Sequence, residues 1–160
     1  MWAVCGPPRS GTTAMLEAIA AWTTLSVRWN LDTEWLTRQQ TGRNEAYLEM
    51  PNRHLEDLGP DAVAKILNPQ ACVTPTRAVL MVRDPAEIVD SARRTLGQRL
   101  DRAGVEERYA QFRARGWAID EVRTEELERP PWLFERLGKA GWPVATYTPE
   151  LTLRAQRPGW

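Results

Sequence analysis

Histidine is almost missing from this 160-residue chain: His54 stands alone, and Cys5 and Cys72 are the only cysteines. Two cysteines and one histidine cannot assemble a Cys/His metal cluster, so no metal is expected. Lysine is nearly as scarce, with Lys65 and Lys139 against a background of arginine. Net charge is missing too: Lys+Arg and Asp+Glu both number 21. That balance removes any global electrostatic case for nucleic acid or a membrane surface. No apolar run is long enough to span a bilayer. The first apolar run starts at Trp2, so no cleaved leader is expected. Cys5 ends that run, where a free thiol behaves as a small apolar residue. The expectation is a soluble protein of the reducing cytoplasm.

What is present suffices for one domain covering residues 1–160. A chain of this length buries roughly 68–70% of its unfolded surface, so it needs no staple. Neither repeats nor low-complexity linkers interrupt it. Eight tryptophans is a high count, and some are expected to line a pocket or interface. Short apolar runs alternate with helical patterns. Strands are expected at 1–5, 25–29, 62–67, 77–82 and 143–147. A helix start at Asp61 competes with the third. Residues 77–82 form a continuous apolar run, as in a parallel strand covered on both faces. Helices are expected at 12–22, 32–40, 84–96 and 132–140, with a helical turn at 55–58 and an extended lip at 47–51. Residues 98–129 are rich in Arg and Glu, and Val105, Tyr109 and Phe112 are spaced as one helical stripe. The alternation implies a three-layer α/β domain with a mainly parallel sheet flanked by helices. Ligands of such sheets bind at the carboxyl ends of the strands.

The first strand runs into Gly6-Pro7-Pro8-Arg9-Ser10-Gly11-Thr12-Thr13 and then a helix. Strand, glycine-bearing turn and helix is the layout of a phosphate-binding loop. Helix-start amides lack intrahelical partners and sit at the positive end of the dipole, so an oxyanion is the natural guest. The nucleoside-triphosphate form reads G-x-x-x-x-G-K-[ST]. Gly6 and Gly11 keep that spacing and Thr13 keeps the hydroxyl, but Thr12 replaces the lysine and the cation has moved to Arg9. Such a loop is poorly equipped for the γ-phosphate of ATP. The bland alternative is a turn that merely joins strand to helix.

A second constellation follows the clearest strand. Arg83 lies at the ligand-bearing edge, and Ser91 lies in the next helix on the face shared by Asp84, Glu87 and Ile88. A strand-end guanidinium and a helix hydroxyl are able to converge on one anion. The competing reading is a surface Arg–Asp pair beside an idle serine.

Together, residues 5–13 and 79–91 resemble the two cofactor motifs of the PAPS-dependent sulfotransferases, closest to the tyrosylprotein and carbohydrate branches. Weaker likenesses are Lys65 to Pro69, similar to a Lys-Asn-Pro segment, and Tyr147 to Leu151, similar to a Tyr-Glu-Asp-Leu strand end. The resemblance implies that Ser10, Gly11, Thr12 and Thr13 hold the 5′-phosphosulfate of PAPS. Arg9 would neutralise charge on the leaving phosphate, with Lys65 as a further cation. Arg83 and Ser91 would hold the 3′-phosphate, and PAP would be the product. A hydroxyl acceptor also needs a base, for which Glu49 and His54 are the candidates. The acceptor class stays open: a sugar, a phenol, a peptide tyrosine or another small molecule. Two further readings stand beside this one, a non-catalytic PAP- or PAPS-binding module and a P-loop small-molecule kinase. A purely structural role for the tryptophans is a fourth.

Overall fold

The computed structural model describes residues 1–28 and 55–148. Its centre is β1 (Trp2–Cys5), followed by α1 (Thr12–Trp22) and β2 (Ser26–Arg28). After the undescribed segment come β3 (Ala62–Ile66), β4 (Ala78–Val82), α2 (Pro85–Leu96), α3 (Arg102–Arg113) and β5 (Ile119–Arg123). A 3-10 turn (Thr124–Glu128) and α4 (Pro130–Lys139) complete it. The five strands lie in the order β2-β3-β1-β4-β5, and every pairing is parallel. This is the expected α/β architecture, with a parallel sheet between helices.

The period-2 alternation of strand side chains divides the core in two. Val4, Val63, Val79 and Met81 face one layer with Met15, Leu16 and Ile19 of α1 and Leu133 and Leu137 of α4. Ala3, Cys5, Ala64, Ile66 and Leu80 face the other, with Ile88 of α2 and Val105, Tyr109 and Phe112 of α3. The central strands are apolar on both faces because both are covered. In register, Cys5 stands between Ile66 and Leu80. The chain therefore leaves β1 toward one face through α1 and leaves β4 toward the other through α2. That divergence between adjacent strands opens a crevice at their carboxyl ends.

Helix ends follow local chemistry. Asp84 caps α2 by accepting from the Ala86 amide at 2.7 Å, with Pro85 at the first helical position. Gly97 closes the same helix with φ of 63°. Asp101 caps α3 through the Gly104 amide.

The stripe Val105, Tyr109 and Phe112 is helical, as expected, and forms the buried face of α3. The helix stops at Arg113, and Gly116 (φ 71°) precedes a fifth strand that the sequence reading did not include. One expectation is corrected. The segment 143–147 is not a sheet strand; Val144 makes only an isolated antiparallel bridge with Thr23. Residues 62–66 are strand, which settles the competition at Asp61. The helix expected at 32–40 and the lip at 47–51 lie outside the described residues.

Candidate functional site

The loop from Gly6 to Gly11 is shaped by three positive φ angles: Gly6 at 148°, Arg9 at 68° and Gly11 at 95°. A Cβ on Gly6 would come within 2.7 Å of the Ser10 hydroxyl and 3.0 Å of the Met81 carbonyl. Only glycine fits there. Arg9 is the only non-glycine residue with positive φ among those described. A side chain in that region costs about 1–2 kcal/mol, which surrounding contacts must offset.

Those contacts come from elements distant in sequence. Arg83 Nη1 donates to the Arg9 carbonyl at 3.0 Å, and Arg9 Nε donates to Ser91 Oγ at 3.1 Å. The loop and the second motif thus interlock around Arg9. Arg83 Nε also pairs with Glu87 at 3.1 Å, one helical turn on. Inside the loop, the Ser10 amide and hydroxyl both donate to the Pro7 carbonyl, at 3.3 and 2.7 Å. Lys65, buried on the α1 face of β3, donates to Thr13 Oγ1 at 3.1 Å. Gly11 occupies the N-cap of α1 and no side chain caps that helix start. Three cationic side chains and an uncapped helix N-terminus therefore meet at the carboxyl end of the central strands.

The site residues expected from sequence fall out as follows. Arg9, Ser10, Gly11, Thr12, Thr13, Lys65, Arg83 and Ser91 are brought together. Ser10 and Ser91 are fully buried and Thr12 nearly so. Ser91 meets Arg9 rather than opening beside Arg83. Glu49 and His54 lie outside the described residues. Tyr147 lies beyond the last strand, and residues 149–151 of the segment likened to a strand end lie outside the described residues.

Two residues of this site escaped the sequence reading. Thr124, directly after β5, places its hydroxyl 2.7 Å from the Ser10 carbonyl and 3.2 Å from the Val82 carbonyl. Tyr109 of α3 accepts from the Arg83 amide at 2.9 Å and lies 3.4 Å from the Arg83 carbonyl. Burial pushes the Tyr109 hydroxyl up to about 12, against smaller opposing effects of the Arg83 backbone bond and nearby arginines. Cys5, buried in the sheet, is pushed far upward by the same desolvation, so it stays a thiol. Among the described residues no group of three metal-ligating side chains gathers, and no helix is long and apolar enough to cross a membrane. No protein-family model matches the chain, and no curated protein aligns with it.

Proposed function

We propose that this domain is a sulfotransferase of the PAPS-dependent kind, working in the cytoplasm on a hydroxyl or amine acceptor. The observation that carries the reading is the interlock at Arg9. Two stretches that each suit an anion, 74 to 82 residues apart, meet in one place. A simple triphosphate site has no need of the second stretch.

The residues fit the cofactor. A Cβ at Gly6 would strike Ser10 and the Met81 carbonyl, so glycine lets the loop fold tightly against the end of β4. The uncapped start of α1 offers amides and a positive dipole end to the 5′ side. Arg9 and Lys65 flank that end and would hold negative charge on the departing oxygen. Arg83 and Ser91 would engage the 3′-phosphate, and that engagement selects PAPS over ATP. The cofactor supplies an activated sulfuryl group, whose in-line transfer depends on positioning and charge stabilisation rather than on protein covalent chemistry. Glu49 or His54 would take the acceptor proton. A kinase reading has less support, because Thr12 stands in the lysine position and Asp84 is engaged as the cap of α2.

A thermal-shift panel tests this without knowledge of the acceptor. Ligand at 100-fold over its Kd adds about 2.7 kcal/mol, roughly 5–10 °C for a domain of this size. PAP is expected to give that shift and ATP with Mg²⁺ a much smaller one. A larger shift with ATP and Mg²⁺ than with PAP overturns the proposal. Transfer of labelled sulfate to an acceptor panel then separates an enzyme from a binding module.

A further inference from the structure

We infer that Thr124 is the positioning residue that aims the phosphate loop, an inference that rests on the loop being an oxyanion cradle. Thr124 is the first residue of the 3-10 turn after β5, one step beyond the Val82–Arg123 register pair. Its hydroxyl carries a single proton and lies within reach of two carbonyls. The shorter contact, 2.7 Å to the Ser10 carbonyl, is the principal bond, and the 3.2 Å contact to the Val82 carbonyl completes a three-centre arrangement.

The consequence follows from peptide planarity. All peptide bonds among the described residues are trans, and in a trans peptide the carbonyl of one residue points opposite to the amide of the next. Holding the Ser10 carbonyl toward Thr124 therefore turns the Gly11 N–H away from Thr124. Gly11 is the N-cap of α1, so its amide is among the donors offered to an anion. Gly11 itself cannot fix that direction, because glycine is the least constrained residue and here has φ of 95°. The neighbouring peptide is fixed in the same way: Arg83 holds the Arg9 carbonyl, while the Ser10 amide turns inward to Pro7. Two consecutive loop carbonyls are thus held from outside, one by the residue after β4 and one by the residue after β5.

Packing reinforces the bond. The Thr124 methyl, Met81 Cε and Leu127 Cδ1 all lie 3.4 Å from where a Cβ on Gly11 would sit. The methyl fills space and the hydroxyl sets direction, so the two roles are separable by substitution. Thr124→Val keeps the β-branched shape and removes the donor. Thr124→Ser keeps the donor and removes the methyl.

The experiment measures the affinities of wild type, Thr124→Val and Thr124→Ser by calorimetry for PAP, adenosine 3′-phosphate and inorganic pyrophosphate. Thr124→Val is expected to weaken PAP and pyrophosphate by about tenfold, the weight of one well-made hydrogen bond. Adenosine 3′-phosphate, which bypasses the loop, is expected to stay within about twofold, and Thr124→Ser to restore PAP and pyrophosphate. Unchanged affinities in Thr124→Val overturn the inference. Equal weakening of all three ligands also overturns it, since that is a general structural loss. Wild type that binds pyrophosphate but not PAP defeats the PAPS reading alone, and the pyrophosphate series still decides Thr124. Wild type that binds neither defeats both.

Discussion

Arg83 does three jobs at once. Its amide is held by Tyr109, one guanidinium nitrogen holds the Arg9 carbonyl, and another pairs with Glu87. The Glu87 carboxylate is more than half exposed, so the pair contributes little to stability. Under the proposed function it matters more for binding, because a 3′-phosphate arriving at Arg83 would compete with it. Glu87→Gln is therefore expected to tighten adenosine 3′-phosphate about two- to fivefold, the range of an exposed ion pair, with stability unchanged. Arg83→Ala should abolish the preference for PAP over 5′-AMP. Calorimetry showing weaker binding in Glu87→Gln, or a surviving preference in Arg83→Ala, would refute this account of the residue.

Elements divide sharply in how legible they were. β1, β4 and their flanking helices could be read because buried parallel strands are continuous apolar runs, and because caps such as Asp84 and Gly97 announce helix ends. β5 could not. It is an edge strand, Ile119-Asp120-Glu121-Val122-Arg123, in which only Val122 is buried. Its two carboxylates are satisfied across the fold: Asp120 by Arg77 and the Trp142 indole, Glu121 by Arg113. Charged edges resist unwanted pairing, but they erase the pattern by which a strand is recognised. Missing β5 meant missing Thr124, since the site residue is defined by the strand end it follows. Gly116 before the strand and Pro130 after its turn were the available signals. At this scale the clearest prediction concerns α2, which carries Ser91 and begins beside Arg83. Asp84→Ala removes its cap and should lower unfolding stability by about 1 kcal/mol, while Asp84→Asn should lower it much less. Equal urea midpoints for the wild type and Asp84→Ala would show that the cap is idle.

At the level of the whole molecule, the layer made by α2 and α3 is tied to the sheet's functional edge through Tyr109. Its ring is buried against the sheet with Phe112 and Val105, and its hydroxyl meets the backbone of Arg83. Core and site therefore share one titratable group. Tyr109 ionises near 10 when unfolded and is pushed up to about 12 when folded, chiefly because burial disfavours the phenolate. A raised folded value means that the unfolded state loses its proton first. The stabilising contribution is fully present below about pH 10 and is lost as pH climbs through about 12. Wild type should accordingly lose unfolding free energy across that window more steeply than Tyr109→Phe, which has nothing there to ionise. At pH 8 the order reverses: the phenylalanine variant is expected to be less stable by about 1 kcal/mol, because the Arg83 amide has lost its acceptor. The two proteins differ only in this one hydroxyl, so the difference between their curves isolates it. Denaturant titrations at pH 8, 10 and 11.5 measure it. Parallel pH curves for the two proteins would mean that Tyr109 does not couple the α3 layer to the strand end that carries Arg83.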